Sequence, residues 1–197
     1  MKNYKKKIIE SSCCSWVNSS KLCKEYHDKE WGVPTHNDKI LFEILILEGA
    51  QAGLSWHTIL KKRENLREAF DNFNPNIIAN YNENKILNLL SNKGIIRNEK
   101  KIRSAVKNAK SFLSIQEKNN SFSNYIWSFT SGETIKNNWQ FENEIPNSSS
   151  LSFKISKDMI SKGFSFVGPT IVYSYLQAVG IINDHLIGCI RYNELNK

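Results

Sequence analysis

Residues 38–56 read DKILFEILILEGAQAGLSW. Within them Ile40, Leu41, Ile44, Leu45 and Leu47 recur at three- and four-residue steps, with further apolar side chains between. A helix that is apolar on most of its circumference is an enclosed one, so the pattern predicts a buried helix from about Asp38 to Glu48. Gly49 and Gly53 punctuate the chain behind it, and Ser55 is placed to cap a helix from Trp56 toward Phe70. The same period continues outward. Asn74-Pro75 starts a further helix, because proline suits a first helical turn. Ile86, Leu87, Leu89 and Leu90 mark an amphipathic stretch that stops at Gly94, and Ile102, Ala105, Val106, Ala109, Phe112 and Leu113 resume it. After a polar stretch from Glu133 to Ser150, helices are expected near Ser152–Lys162 and Pro169–Val179. Phe164-Ser165-Phe166 alternates like a strand but is too short to build a sheet. No internal repeat or long linker interrupts the pattern, and the expectation is an all-α single domain.

Composition narrows the function classes. A chain of 197 residues buries roughly 70% of its unfolded surface and needs no disulfides to hold a core. With 40% hydrophobic residues and five tryptophans it is not a disordered segment. No apolar run reaches the roughly 18 residues of a membrane span. Lys5, Lys6 and Lys7 lead only into Ile8, Ile9 and Glu10, so no secretory signal is read, and a cytoplasmic protein is expected. The 27 basic and 19 acidic residues leave a formal charge of +8, which favours a polyanionic partner, nucleic acid before acidic lipid. Lysine-rich coding bias accounts for the same excess, so charge alone decides nothing.

Two local patterns suggest chemistry. Between the helices around Ile86 and Ile102 lies Asn92-Lys93-Gly94-Ile95-Ile96, with Lys93, Arg97, Lys100 and Lys101 about it. Such a turn can aim backbone N–H groups and a helix N-terminus at a phosphate, or it can simply join two helices. His185 and Cys189 stand four apart, behind Asp184, and share one face if that segment is helical. With Cys14 and His27 they make a Cys2His2 set, the composition of closed, structural zinc. The alternative has both histidines and cysteines as ordinary core or surface residues, and Cys13 competes with Cys14 as ligand. His36 and His57 have no comparable partners and read as surface residues.

Aromatic side chains gather in the same region: Trp16, Tyr26, Trp31 and Trp56. Tryptophans usually mean packing, but Glu48 is harder to dismiss, since it ends a buried-looking helix where a carboxylate is costly without a partner. A carboxylate flanked by rings suits a flat, cationic ring, stacked on its faces and held at its amino edge. The residues that surround these groups form long ordered blocks. Cys14-Ser15-Trp16-Val17, the run Tyr26-His27-Asp28-Lys29-Glu30-Trp31-Gly32-Val33-Pro34, LEGAQAGLSW from Leu47 to Trp56 and LKKREN after it closely resemble the type I 3-methyladenine DNA glycosylases. So do Gly94-Ile95-Ile96-Arg97, Trp127-Ser128-Phe129 and GFSFVGPTIVYSYLQAVGIINDH ending at His185.

The resemblance implies a helix–hairpin–helix superfamily fold over residues 13–192, preceded by an extension over 1–12. It implies one structural Zn2+ on Cys14, His27, His185 and Cys189, tying the N-terminal to the C-terminal region. Glu48, Tyr26 and Trp56 would line the pocket of the excised base, with Trp16 nearby and Glu48 as the catalytic group. Lys93, Gly94 and Arg97 would hold DNA phosphates, and Ala52, Gly53 and Leu54 would stand at the gap left by the extruded nucleotide. The implied reaction is hydrolysis of the N-glycosidic bond of 3-methyladenine in alkylated double-stranded DNA, by a monomer. Wider relatives use an aspartate after the hairpin, but Glu99 is the one acid between Arg97 and Lys110, so that group is expected to be missing. Two positions depart from the pattern. Ser15 replaces a frequent glycine and is read as a neutral loop change. Cys23 replaces an aromatic and is expected to alter one pocket wall, with looser base selectivity. A non-catalytic zinc-stapled DNA-binding module is the other class considered, and the pocket around Glu48 argues against it.

Overall fold

A computed structural model describes residues 14–196. The expected extension over 1–12 and the competing ligand Cys13 lie outside the described residues. Ten α-helices run through the described chain: α1 (Lys21–Lys29), α2 (Asp38–Gln51), α3 (Trp56–Ala69), α4 (Pro75–Ile78), α5 (Glu83–Ser91), α6 (Glu99–Asn119), α7 (Phe122–Trp127), α8 (Ser150–Ser161), α9 (Pro169–Ala178) and α10 (Ile190–Leu195). Why they start where they do is a matter of caps. The first eight each begin behind a serine or asparagine whose side chain accepts a first-turn N–H: Ser20, Asn37, Ser55, Asn74, Asn82, Asn98, Ser121 and Ser149. The asparagine-rich composition is therefore spent partly on helix starts.

Helix α2 is the axis of the molecule. Every residue from Leu41 to Gly49 is buried, and α3, α6, α7 and α9 pack around it. Two carboxylates share this buried helix and meet different fates. Glu43 is paired: its Oε1 accepts from Arg63 Nε at 2.7 Å and from Arg67 Nη2 at 2.7 Å, and Arg63 also reaches Glu30 of the loop after α1. Glu48, one turn and a half further on, has no hydrogen bond or ion pair among the described residues. Charge inside a core is tolerable when paired and expensive when not, so the unpaired group marks where to look for function.

The fold is mostly helical rather than all-α. Ile135–Lys136 (β1) pairs in parallel with Ile182–Asn183 (β2), Ile135 opposite Ile182 and Lys136 opposite Asn183. This short ladder fastens the polar stretch after α7 to the C-terminal segment. Two-residue strands leave no alternation to read, which is why the sequence shows no sign of them. Phe164-Ser165-Phe166 forms no strand; Asn108 of α6 clamps it as a loop, exchanging hydrogen bonds with Ser165 N at 2.8 Å and Ser165 O at 2.9 Å. Among the described residues no helix is long and apolar enough to cross a membrane.

Candidate base pocket and metal cluster

A cavity of about 420 Å³ opens beside the C-terminal half of α2. Glu48 and Gln51 of α2, Tyr26 of α1 and Trp56 at the start of α3 form one side, with Trp16 and Trp31 next to them. Tyr26 and Trp56 have ring centroids 5.2 Å apart at 51°, and Trp16 stands 6.3 Å from Tyr26 and 5.3 Å from Trp31. Burial, with no partner to offset it, pushes the Glu48 carboxyl up to about 8. At neutral pH the cavity therefore presents a neutral acid. Two donors beside it are also unmatched: among the described residues, the buried Tyr26 hydroxyl and the Trp56 indole N–H have no hydrogen-bond partner. Unmatched buried donors are uncommon in a finished core, and their convergence on one cavity is what a polar ligand requires.

The opposite side comes from residues to which the sequence reading gave no role. Tyr173 and Gln177, one turn apart on α9, line it, as does the loop Glu142–Asn147 within the polar stretch after α7. Both α9 side chains are locked by buried Asp184, which accepts from Tyr173 Oη at 2.6 Å, Gln177 Nε2 at 2.7 Å, Asn137 Nδ2 at 2.7 Å and Trp139 Nε1 at 2.7 Å. Four donors satisfy a carboxylate's acceptor capacity without any cation. The loop is held by Glu142, which accepts from the Ser15 backbone N–H and, at 2.5 Å, from the Ser15 hydroxyl. Ser15 is thus more than a neutral loop change, since glycine has no hydroxyl to give. Cys23 does not line the cavity: it is buried on α1 with its Sγ 3.8 Å from His57 Nδ1, so the expected altered wall is absent. His57 is also not a plain surface residue; its Nδ1 lies 2.8 Å from Ser20 Oγ. His36 is exposed, as read, and stacks on Trp127 at 4.5 Å.

Cys14, His27, His185 and Cys189 come together behind this wall, all buried, with their ligand atoms within 4.8 Å of one another. Their separations form a tight polyhedron: His27 Nε2 to His185 Nδ1 3.1 Å, Cys189 Sγ to His27 Nε2 3.5 Å, Cys189 Sγ to His185 Nδ1 3.7 Å, and Cys14 Sγ to His185 Nδ1 4.0 Å. Tetrahedral bonds of about 2.0–2.1 Å to nitrogen and 2.3 Å to sulfur place such atoms about 3.3–3.8 Å apart, so the four residues fit a metal ion of that kind. Their other faces are oriented as ligands need: His27 Nδ1 is 2.8 Å from Asp28 Oδ1, and His185 Nε2 is 3.1 Å from Trp31 O. Hydrogen bonding from Cys14, and then from His185 and His27, outweighs burial and draws the Cys189 thiol well below its ordinary range, toward the thiolate that binds metal. Gly32 makes room, because with φ at +78° a Cβ there would stand 2.9 Å from His185 Nε2. The condition that this segment be helical is not met, however. His185 lies in irregular chain after β2, and Cys189 is the cap of α10, so a turn and not a helix brings them together. Cys14 belongs to the cluster and also lines the cavity, which makes the two features one assembly.

A family model of methyladenine glycosylases matches residues 16–192. The chain belongs to the methyladenine glycosylase family. It is 44% identical over 179 residues to DNA-3-methyladenine glycosylase 1 of Escherichia coli K12, covering 91% of this chain and 96% of that one. A DNA-3-methyladenine glycosylase of Haemophilus influenzae is 42% identical over 176 residues, 89% of this chain and 95% of the relative. Among solved structures, a variant of 3-methyladenine DNA glycosylase I in complex with 3-methyladenine superposes with a TM-score of 0.88 at 32% identity, covering 92% of this chain and 96% of the other. Membership makes the turn between α5 and α6 relevant to this methyladenine glycosylase homologue. Lys93 and Arg97 are exposed there, and the Gly94 carbonyl is anchored to α3 by Lys62 Nζ at 2.9 Å and Asn65 Nδ2 at 3.3 Å. Gly53 and Leu54 are exposed on the turn after α2, at the same end of that helix as Glu48. Glu99 is engaged by Arg103 Nε at 2.8 Å on the exposed face of α6.

Proposed function

We propose that this chain is a monofunctional DNA-3-methyladenine glycosylase, hydrolysing the N-glycosidic bond of 3-methyladenine in alkylated double-stranded DNA and leaving an abasic site. The observation that carries the reading is Glu48, a buried carboxyl without a partner among the described residues, in an aromatic-lined cavity of a methyladenine glycosylase family member. Methylation at N3 makes the base cationic, so it departs as a neutral molecule and its bond is already weak. The protein's tasks are then to extrude the nucleotide, hold base and sugar, and admit water. A cationic ring beside Glu48 favours the carboxylate over the acid, so binding a charged lesion releases the Glu48 proton, while a neutral base gains nothing from it. Once the bond breaks the base is neutral and this attraction falls away. Tyr26 and Trp56, with Trp16 nearby, are assigned to the faces and edge of the base.

The turn Lys93-Gly94-Arg97 is assigned to DNA phosphates, which makes α5 and α6 a helix–hairpin–helix element, and Gly53 and Leu54 to the gap left by the extruded nucleotide. Zn2+ is assigned to Cys14, His27, His185 and Cys189, where it supplies cohesion rather than reaction chemistry, since four protein ligands leave no open position. Glu99, held by Arg103, is not assigned as a base. The protein acts as a monomer on this reading. The test is release of free bases from methylated DNA by wild type and Glu48→Ala in parallel. The expected result is 3-methyladenine with little 7-methylguanine from wild type, and a loss of roughly a hundredfold or more in the variant. DNA binding by both proteins with release of no base by either would overturn the assignment.

A further inference from the structure

Lys101 stands in the first turn of α6, its backbone N–H bound to the cap residue Asn98 at 3.1 Å. Lys93 and Lys100, its neighbours around the turn, are exposed and point their charge at solvent. Lys101 does not. Its ammonium crosses to the end of α2 and donates to the carbonyls of Ala50 at 2.8 Å and Ala52 at 2.5 Å. These are the last carbonyls of a helix, which have no partner within it, and a cation there also meets the negative end of the helix dipole. No carboxylate pairs with Lys101 among the described residues, and partial burial lowers its affinity for the proton. A cation partly withdrawn from water and given only carbonyls has been spent on holding a piece of backbone in place.

What it holds is the turn over residues 52–54. Gly53 sits at φ +77° with nothing within 4 Å of where a Cβ would be, and Leu54 is 39% exposed. From the protein side the turn is fixed by Leu54 N to Gln51 O at 2.6 Å and by Lys101. Glu48 lies one turn upstream on the same helix. We propose that Lys101 is a positioning residue that links the phosphate-holding turn to the gap-facing turn, so that the grip on the DNA backbone fixes where Gly53, Leu54 and Glu48 stand relative to the duplex. This rests on the roles proposed above for the two turns.

A link of this kind matters only when DNA pulls on one end of it. The test compares wild type, Lys101→Met, which keeps the stem and removes the charge, and Lys101→Gln, which retains one donor and serves if the methionine variant does not fold. Three readouts are taken: single-turnover excision from methylated duplex, quenching of tryptophan fluorescence by free 3-methyladenine, and the fluorescence of 2-aminopurine beside an abasic analogue at saturating protein. Both variants are expected to excise between about tenfold and a hundredfold more slowly, the scale of a small misplacement of reacting groups. Their affinity for the free base stays within about twofold of wild type, and the 2-aminopurine signal is reduced. Wild-type excision by the variants, or a loss of free-base binding that matches the loss of excision, would overturn the linkage. If wild type gives the 2-aminopurine signal and the variants lose it while no protein releases base, the linkage stands and the proposed activity falls.

Discussion

Replacing Glu48 by glutamine separates what this residue does for function from what it does to stability. The folded protein holds a proton on Glu48 up to about pH 8, whereas the unfolded chain releases it near the ordinary 4.5. The raised value means that the folded state binds the extra proton, so the stability from this group is full below pH 4.5 and is lost as pH climbs to 8. The loss runs at about 1.36 kcal/mol per pH unit between those limits. Glutamine has nearly the shape of the neutral acid and does not titrate. Glu48→Gln is therefore expected to gain on wild type by about 2–3 kcal/mol between pH 5.5 and 7.5, while its excision activity collapses. For a chain of this size that is a relative rise in Tm of roughly 5–10 °C. Urea unfolding of both proteins at half-unit pH steps reads the difference directly, and every other titrating group cancels in the subtraction. The new amide brings hydrogen-bond demands of its own, but these shift the curve without tilting it. A difference that stays flat from pH 5.5 to 7.5 refutes the claim that burial keeps Glu48 neutral.

Other perturbations test the surrounding framework. Arg63→Ala leaves Glu43 buried beside only Arg67 and is expected to cost about 3–5 kcal/mol in urea unfolding at pH 7, far more than exposed pairs such as Lys24–Asp28. On the proposed zinc assignment, Cys189→Ala should contain no zinc by elemental analysis and have a Tm lower by more than about 10 °C, and a chelator should lower the wild-type Tm likewise. Full metal content in that variant contradicts the Cys2His2 assignment. Arg97→Ala should weaken binding to all duplexes alike and reduce the slope of log Kd against log salt by about one, as measured by anisotropy at several salt concentrations.

The helices were legible because burial writes them into the period of apolar residues. The apolar run from Asp38 to Glu48 belongs to a helix ending at Gln51, and Ser55 caps α3 as its position suggested. The aromatic side of the cavity was legible for a similar reason: Tyr26, Trp56 and Glu48 are costly or bulky residues whose presence needs explaining. The other side was not. Tyr173 and Gln177 look like an ordinary helix face, and the loop from Glu142 to Asn147 has the polar composition of any connection. Their role comes from Asp184 and Ser15, whose partners lie far along the chain, and no local pattern encodes such pairings. The metal set was read from residue type, and the helical segment that would have put His185 and Cys189 on one face is not formed. Spacing of four suits a helix, but a turn ending at a cap brings the same two side chains together equally well. Cys23 shows a plain error, since a substitution within a quoted motif says nothing of which way its side chain faces.

Cys14 and His185 stand 171 positions apart and meet in one cluster. During synthesis at about 5–20 residues per second, the first ligand waits on the order of ten to thirty seconds for the last to emerge from the ribosome. Throughout that interval Cys14 lacks His185 and Cys189 beside it, so its part of the cavity wall, encoded first, is completed last. The nascent chain can fold its helical centre around Leu41–Leu47 while still unable to grasp a base. On the proposed metal assignment, maturation ends with a single event that joins the two ends of the described chain and completes the pocket in the same step.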